Sequence, residues 1–225
     1  MHEAAAGEVG GVGAGASDRR HDRRALRWIL AVSIGEATGF AVAAGVAVLT
    51  IVAGIDDPVR LVLVIAAGAV EGTALAIGQY AGMRADRPPA GWWIAATAVA
   101  AAFAWTLGML PSTLGIDLSS PGTLVLVAIG AVLLLMSIPL AQWLVLARPR
   151  TARWVPINAG AWLVSILWTF APSPFIDERS PVPLVVALYV TAGVLMAVTF
   201  ACLTAPLALR LFSPAGVTRR GHVDE

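Results

Sequence analysis

Apolar residues in this chain come neither in alternation nor in narrow helical stripes, but in six long runs separated by short polar connections. The runs are Leu26 to Ala53, Leu61 to Met83, Trp92 to Leu110, Thr123 to Ala147, Trp154 to Ala171, and Pro183 to Phe212. About 20 helical residues cross roughly 30 Å of hydrocarbon, so each run is a candidate membrane span. A helix apolar on all sides has lipid or protein around it, not water. The pattern therefore predicts an all-α, polytopic membrane protein with six transmembrane helices, over residues 25–212. Residues 1–24 are expected as a disordered cytoplasmic tail and 213–225 as a short second one. The connections leave no room for a soluble domain.

Charge changes this picture by giving it a direction. Arg84 and Arg87 follow the second run, Arg148, Arg150 and Arg153 the fourth, and Arg210, Arg219 and Arg220 the sixth. Asp56, Asp57, Asp117, Asp177 and Glu178 fall in the alternate connections, whose only arginines are Arg60 and Arg179. By the positive-inside rule both termini are expected on the cytoplasmic side of a cell inner (plasma) membrane. Arg19, Arg20, Arg23 and Arg24 in the leader serve the same rule, with binding to anionic lipid as the alternative. The leader is a poor signal peptide, since the apolar run after it far exceeds an h-region of about 7–15 residues.

Composition adds limits. With 58% hydrophobic and 13% charged residues, the bilayer is the expected solvent, and a net charge of +1 gives no reason to expect nucleic acid as a partner. All fifteen basic residues are arginine. Cys202 is the single cysteine and none of the three histidines lies in a run, which leaves no cysteine or histidine metal site. No phosphate loop, His-Glu-x-x-His pair or Gly-x-Ser-x-Gly elbow is present, so neither an enzyme nor a cofactor is expected. The expected partners are the lipid bilayer and, as an option, a second copy or other membrane helices.

Tryptophans mark the run ends. Trp28, Trp92, Trp93, Trp143 and Trp154 sit where interfacial anchors belong, with a ligand-stacking box as the alternative; Trp162 lies nearer mid-span. Trp28, Trp92 and Trp154 open the odd runs at intervals of 64 and 62 residues, and Gln79-Tyr80 and Gln142-Trp143 close even runs 63 apart. Trp105-Thr106 and Trp168-Thr169 share that spacing. These matches suggest an internal repeat of helical hairpins. The Gly-rich helix ending in Gln-Tyr or Gln-Trp, followed by Arg and a Trp-initiated helix, resembles a diffuse group of bacterial multi-span proteins. This covers mainly residues 66–170 and brings no activity with it.

The candidate chemistry lies in two acids. Glu36 and Glu71 occur in only one hairpin; the matching positions hold Ala100 and Leu134, then Trp162 and Ala197. Counted from the arginines at 1.5 Å per residue, they lie at depths of roughly 13 and 20 Å, close enough to meet across antiparallel helices. An intramembrane carboxyl is expensive and commonly faces a cavity or a partner. The pair is therefore the candidate ion- or proton-binding site, with Ser33, Thr38 and Thr73 as supporting polar residues. The alternative is that each Glu is a structural strut bonded to one of those hydroxyls. Gln79, Gln142 and Asn158 form a second polar group, in which Gln142 and Asn158 are expected to pair across the tight hairpin of runs four and five. Gly35, Gly39, Gly68, Gly78 and Gly82 are expected in helix packing, with the face from Gly68 to Gly82 set against the first helix. Two functional classes follow: a small proton- or cation-coupled transporter or channel-like protein using Glu36 and Glu71, or a non-catalytic membrane scaffold or accessory subunit with structural carboxylates.

Overall fold

The structure, a computed structural model, describes residues 11–212 apart from 118 and 178. Six helical segments span the molecule: α1 (Gly11–Val52), α2 (Asp57–Gly82), α3 (Ala90–Thr113), α4 (Pro121–Leu146), α5 (Trp154–Ser165) and α6 (Val182–Phe212). Among the described residues there is no strand. Each helix packs against its neighbours in the chain, and α6 returns to α1, so the six close into a ring. Short connections make successive helices antiparallel.

The helix boundaries follow local chemistry. Pro58 and Pro121 stand in the first turns of α2 and α4, where a missing N–H costs nothing. Beyond α5 the chain tightens into a 3₁₀ helix, Ile166–Phe170, before Pro172 and Pro174. At about 2.0 Å per residue instead of 1.5 Å, this tightening lets a short segment reach across the bundle. The helix α1 starts earlier than the first apolar run. Residues 11–24, expected as irregular tail, are helical because no Gly or Pro interrupts the chain between Gly15 and Gly35, and helix extends cheaply from an existing nucleus. The remainder of that tail, 1–10, and the second tail, 213–225, lie outside the described residues.

Close approach of backbones sets the ring's tightest seams. A side chain at Gly78 would run into the carbonyl of Ala31, and one at Gly35 into the carbonyl of Ala74. A Cβ on Gly39 would sit 2.7 Å from the Glu71 Cα. Such contacts are available only to glycine, and they bring α1 and α2 together at the level of Glu71. The glycines of α2 do not form one face toward α1. Gly78 and Gly82 meet α1, while Gly68 meets the Trp105 ring and Gly72 meets Ala101 and the Thr97 carbonyl of α3. Residues spaced by four along a helix drift around its axis, so one broad stripe serves two neighbours. On the other side of α1, Phe40 lies over Gly193 of α6.

The two ends of the ring differ. At the arginine-bearing end, Arg27 donates to the Ala81 carbonyl at 2.6 and 3.1 Å, where the carbonyls ending α2 attract a cation. Arg84 and Ala85 donate their backbone N–H groups to Phe212, and Arg148 pairs with Asp86 at 3.4 Å. The outer surface is apolar; on α4 alone Leu124, Val125, Leu126, Ile129, Val132 and Leu133 are exposed. An apolar girdle of this extent belongs in lipid. Together with six helices long and apolar enough to cross a bilayer, it defines a multi-pass integral membrane protein.

Candidate functional site

Glu36 and Glu71 come together. Gly39 lets the backbone of α1 rest on α2 beside Glu71, and the two carboxyls face one another there. Trp105 of α3 donates its indole N–H to Glu71 Oε2 at 2.7 Å. That contact depends on Gly68, one turn before Glu71, because a Cβ there would overlap the indole. Neither oxygen of Glu36 receives a hydrogen bond from a protein donor, and Glu36 is fully buried. Two carboxylates can only accept, so a bond between them exists when one carries a proton. Chemically, two juxtaposed acids with no cationic side chain beside them can share a proton or pair with a positive charge.

A cavity of about 420 Å³ leads to this pair. All six helical segments line it, with Phe40, Glu71, Trp105, Ile138, Trp162 and Tyr189 as one contributor from each. Its wall continues from the acids to Ile51 near the end of α1, so the cavity lies in the half of the bundle away from the arginines. Both acids line it; Glu71 keeps 8% of its surface exposed and Glu36 none. The lining contains no Arg or His.

Toward the arginine end the ring is filled. Trp28, Trp93, Trp154 and Phe212 pack with ring centroids 5.6–6.4 Å apart. Between this cluster and the acids lies a buried polar layer. Gln142 donates to Gln79 Oε1 at 2.7 Å and to Thr97 Oγ1 at 3.1 Å, and accepts from the Trp154 indole at 3.0 Å. Four helices are thereby tied together at one level.

Several expectations change here. Trp28 and Trp154 are not interfacial anchors but buried core, and of the adjacent pair it is Trp93 that points inward while Trp92 is 72% exposed. The inward-facing positions are thus 28, 93 and 154. Gln142 pairs with Gln79 rather than with Asn158, whose amide donates to the Trp154 carbonyl of its own helix at 2.9 Å. One helical turn separates Asn158 from Trp154, so that carbonyl is already within reach and the indole is left to meet Gln142. The supporting hydroxyls do not hold the acids. Thr73 donates to Ala69, Thr38 is exposed, and the Ser33 hydroxyl is buried without a partner. Trp105 is the neighbour of the acids that the sequence did not mark; its signal was an indole N–H in mid-span, which in hydrocarbon requires an acceptor.

Fold and site together define a helical membrane protein with an acidic pair at the inner end of a cavity. No family model, curated protein or solved structure matches the chain.

Proposed function

We propose that the protein is a small transporter or channel-like protein in which Glu36 and Glu71 bind a proton or a cation. The observation that carries this reading is the cavity itself, which lies on one side of the acidic pair while aromatic rings and the Gln79–Gln142 layer fill the other. One-sided access to an intramembrane charge is what an alternating-access cycle requires of one of its states. With both termini cytoplasmic, as the arginine distribution indicates, the cavity faces away from the cytoplasm of a bacterial inner membrane. The repeat of hairpins belongs to the same proposal: Trp162 and Leu134, the positions matching Glu36 and Glu71 in other hairpins, also line the cavity.

The rival scaffold reading needs an outward glycine face for partner helices. Gly35, Gly39, Gly68, Gly72, Gly78 and Gly193 are instead used inside the ring. Gly45, Gly91, Gly130 and Gly160 meet open space, but each lies on a different helix. The test is proton flux in proteoliposomes under an imposed pH gradient, comparing wild type with Glu36→Gln and Glu71→Gln. Gradient-dependent flux that is lost in the folded variants supports transport. Absence of flux in the wild type, with folded variants indistinguishable from it, sinks the reading.

A further inference from the structure

The cavity is unusual in what surrounds the acids. Apart from Glu36 and Glu71, its polar groups are the Tyr189 hydroxyl, the Thr169 hydroxyl and the indoles of Trp105 and Trp162. Thr169 already donates to the Ile166 carbonyl and Trp105 to Glu71. The rest of the wall is aliphatic or aromatic. We propose that this cavity binds a lipophilic organic monocation, such as a quaternary ammonium or phosphonium carrying aryl groups, with its charge at Glu71 and its apolar body among Phe40, Trp105, Trp162 and Tyr189. The proposal rests on the transport reading above and names its substrate class.

Three physical arguments select this ligand. A stripped inorganic cation wants several oxygen ligands, about six to eight for calcium and six for magnesium. The lining supplies two carboxyls and little else, and among the described residues no cluster of three His, Cys, Asp or Glu exists to hold a metal. An organic monocation with its charge spread beneath alkyl or aryl groups loses little hydration, and its apolar surface matches the wall. The volume, about 420 Å³, falls within the range of about 300–1,000 Å³ typical of small-molecule sites. Aromatic rings also attract a cation placed over their faces, and Trp162 packs on Phe200 in a tilted contact with centroids 4.5 Å apart. Glu36 supplies a second, independent pointer. It is a fully buried carboxyl with no donor to either oxygen, lining the same cavity beside Glu71.

The same geometry makes binding an exchange. A proton held between the two carboxyls and a monocation at Glu71 compete for the same negative charge, so binding the cation releases a proton. The titratable groups lining the cavity are Glu36 from α1, Glu71 from α2 and Tyr189 from α6; α3, α4 and the α5 segment contribute none. Falling pH therefore weakens cation binding.

The experiment is equilibrium binding of tetraphenylphosphonium to the full chain in lipid nanodiscs, with tetraphenylborate as a control of the same shape and opposite charge. Saturable binding of the cation, release of a proton in weakly buffered solution, and at least tenfold weaker binding by Glu71→Gln are expected. Gly108→Leu provides a second handle, since a Cβ there meets only Leu134 Cδ1 at 3.5 Å and the larger side chain narrows the cavity. It is expected to weaken tetraphenylphosphonium at least tenfold more than methylammonium. Saturable binding that is equal for tetraphenylborate, or unchanged in the Glu36→Gln/Glu71→Gln double variant, overturns the proposal. If tetraphenylphosphonium does not bind but glutamate-dependent proton flux persists, the ligand class is wrong and the transport reading stands. Loss of both removes both.

Discussion

The two halves of the ring are built from the same six helices and the same kinds of residue, yet one is filled and the other hollow. In the arginine-bearing half, three tryptophans and Phe212 meet at the centre, and Gln142 ties Gln79, Thr97 and Trp154 together. In the opposite half, the residues facing the centre include Ala44, Ala47, Ala104 and Gly108, which are too small to fill it. Side-chain volume at inward positions, rather than helix placement alone, decides where the molecule is open. The acids lie at the border between the halves, with the cavity on one side of them and the filled layer on the other.

The filled half should therefore be the stability reservoir and the hollow half should tolerate change. Trp154→Ala attacks the centre of the plug, where the indole is fully buried and contacts Trp28, Trp93 and Phe212. A loss of about 3–5 kcal/mol is expected, read as a lowered unfolding midpoint in detergent. A small loss would mean the plug is loosely packed and the contrast between halves overdrawn.

Two glycine substitutions sharpen the comparison. Gly78→Ala places a methyl against the backbone of Ala31 and should cost about 1–3 kcal/mol, because α1 and α2 must separate. Gly108→Ala in the hollow half meets only Leu134 Cδ1 at 3.5 Å, so its better helix propensity should stabilise by up to about 1 kcal/mol. Opposite signs in the same unfolding assay are the expected outcome; equal effects would contradict the seam geometry.

The polar layer is tested by a double-mutant cycle of Gln79→Leu and Gln142→Leu. Gln142→Leu strands the Gln79 carbonyl and the Trp154 indole, whereas Gln79→Leu leaves Gln142 bonded to Thr97 and Trp154. The coupling energy should be about 0.6–2 kcal/mol, the range for interhelical polar pairs in bilayers. A value near zero would mean the amides find other partners.

The smallest effect lies in the loop after α3, at the end away from the arginines. Hydrogen bonds from the Ser119 hydroxyl and backbone N–H, at 2.7 and 2.9 Å, hold the Asp117 carboxyl below its usual range. A depressed folded-state pKa stabilises at pH values above the unfolded carboxylate's and is lost as pH falls through the folded value. Ser119→Ala should move the Asp117 titration upward toward an ordinary carboxylate, as followed by NMR, and leave stability at neutral pH nearly unchanged because the loop is exposed.

Much of this architecture was legible in residue order. Six runs of sufficient length leave only helices as spanning structures, since hydrocarbon offers no partner for open backbone groups. The run ends agree with the helix ends to within a few residues, except at α1 and across the 3₁₀ segment after α5. Glu36 and Glu71 stood out because ionisable side chains are costly there, and their similar depths anticipated a meeting. Trp105 was not legible as their neighbour, because its N–H could have faced any acceptor on any helix. The choice between Trp92 and Trp93 was equally hidden: adjacent helical residues point about 100° apart, and only the packed neighbours select which one turns inward.

By itself, then, the sequence determined what depends on length, apolarity and depth: the six spans, the charge asymmetry between their ends, and two acids at a comparable level. The tertiary structure decided what depends on rotation about each helix axis. That rotation sends Gly68 and Gly72 to α3 but Gly78 and Gly82 to α1, pairs Gln142 with Gln79, buries Trp28 and Trp154, and leaves small residues around a cavity above Glu71. The physical reason is that apolarity in lipid fixes how deep a helix sits and says little about which way it faces. Facing is settled by van der Waals fit and interhelical hydrogen bonds, which exist only once the neighbours are in place.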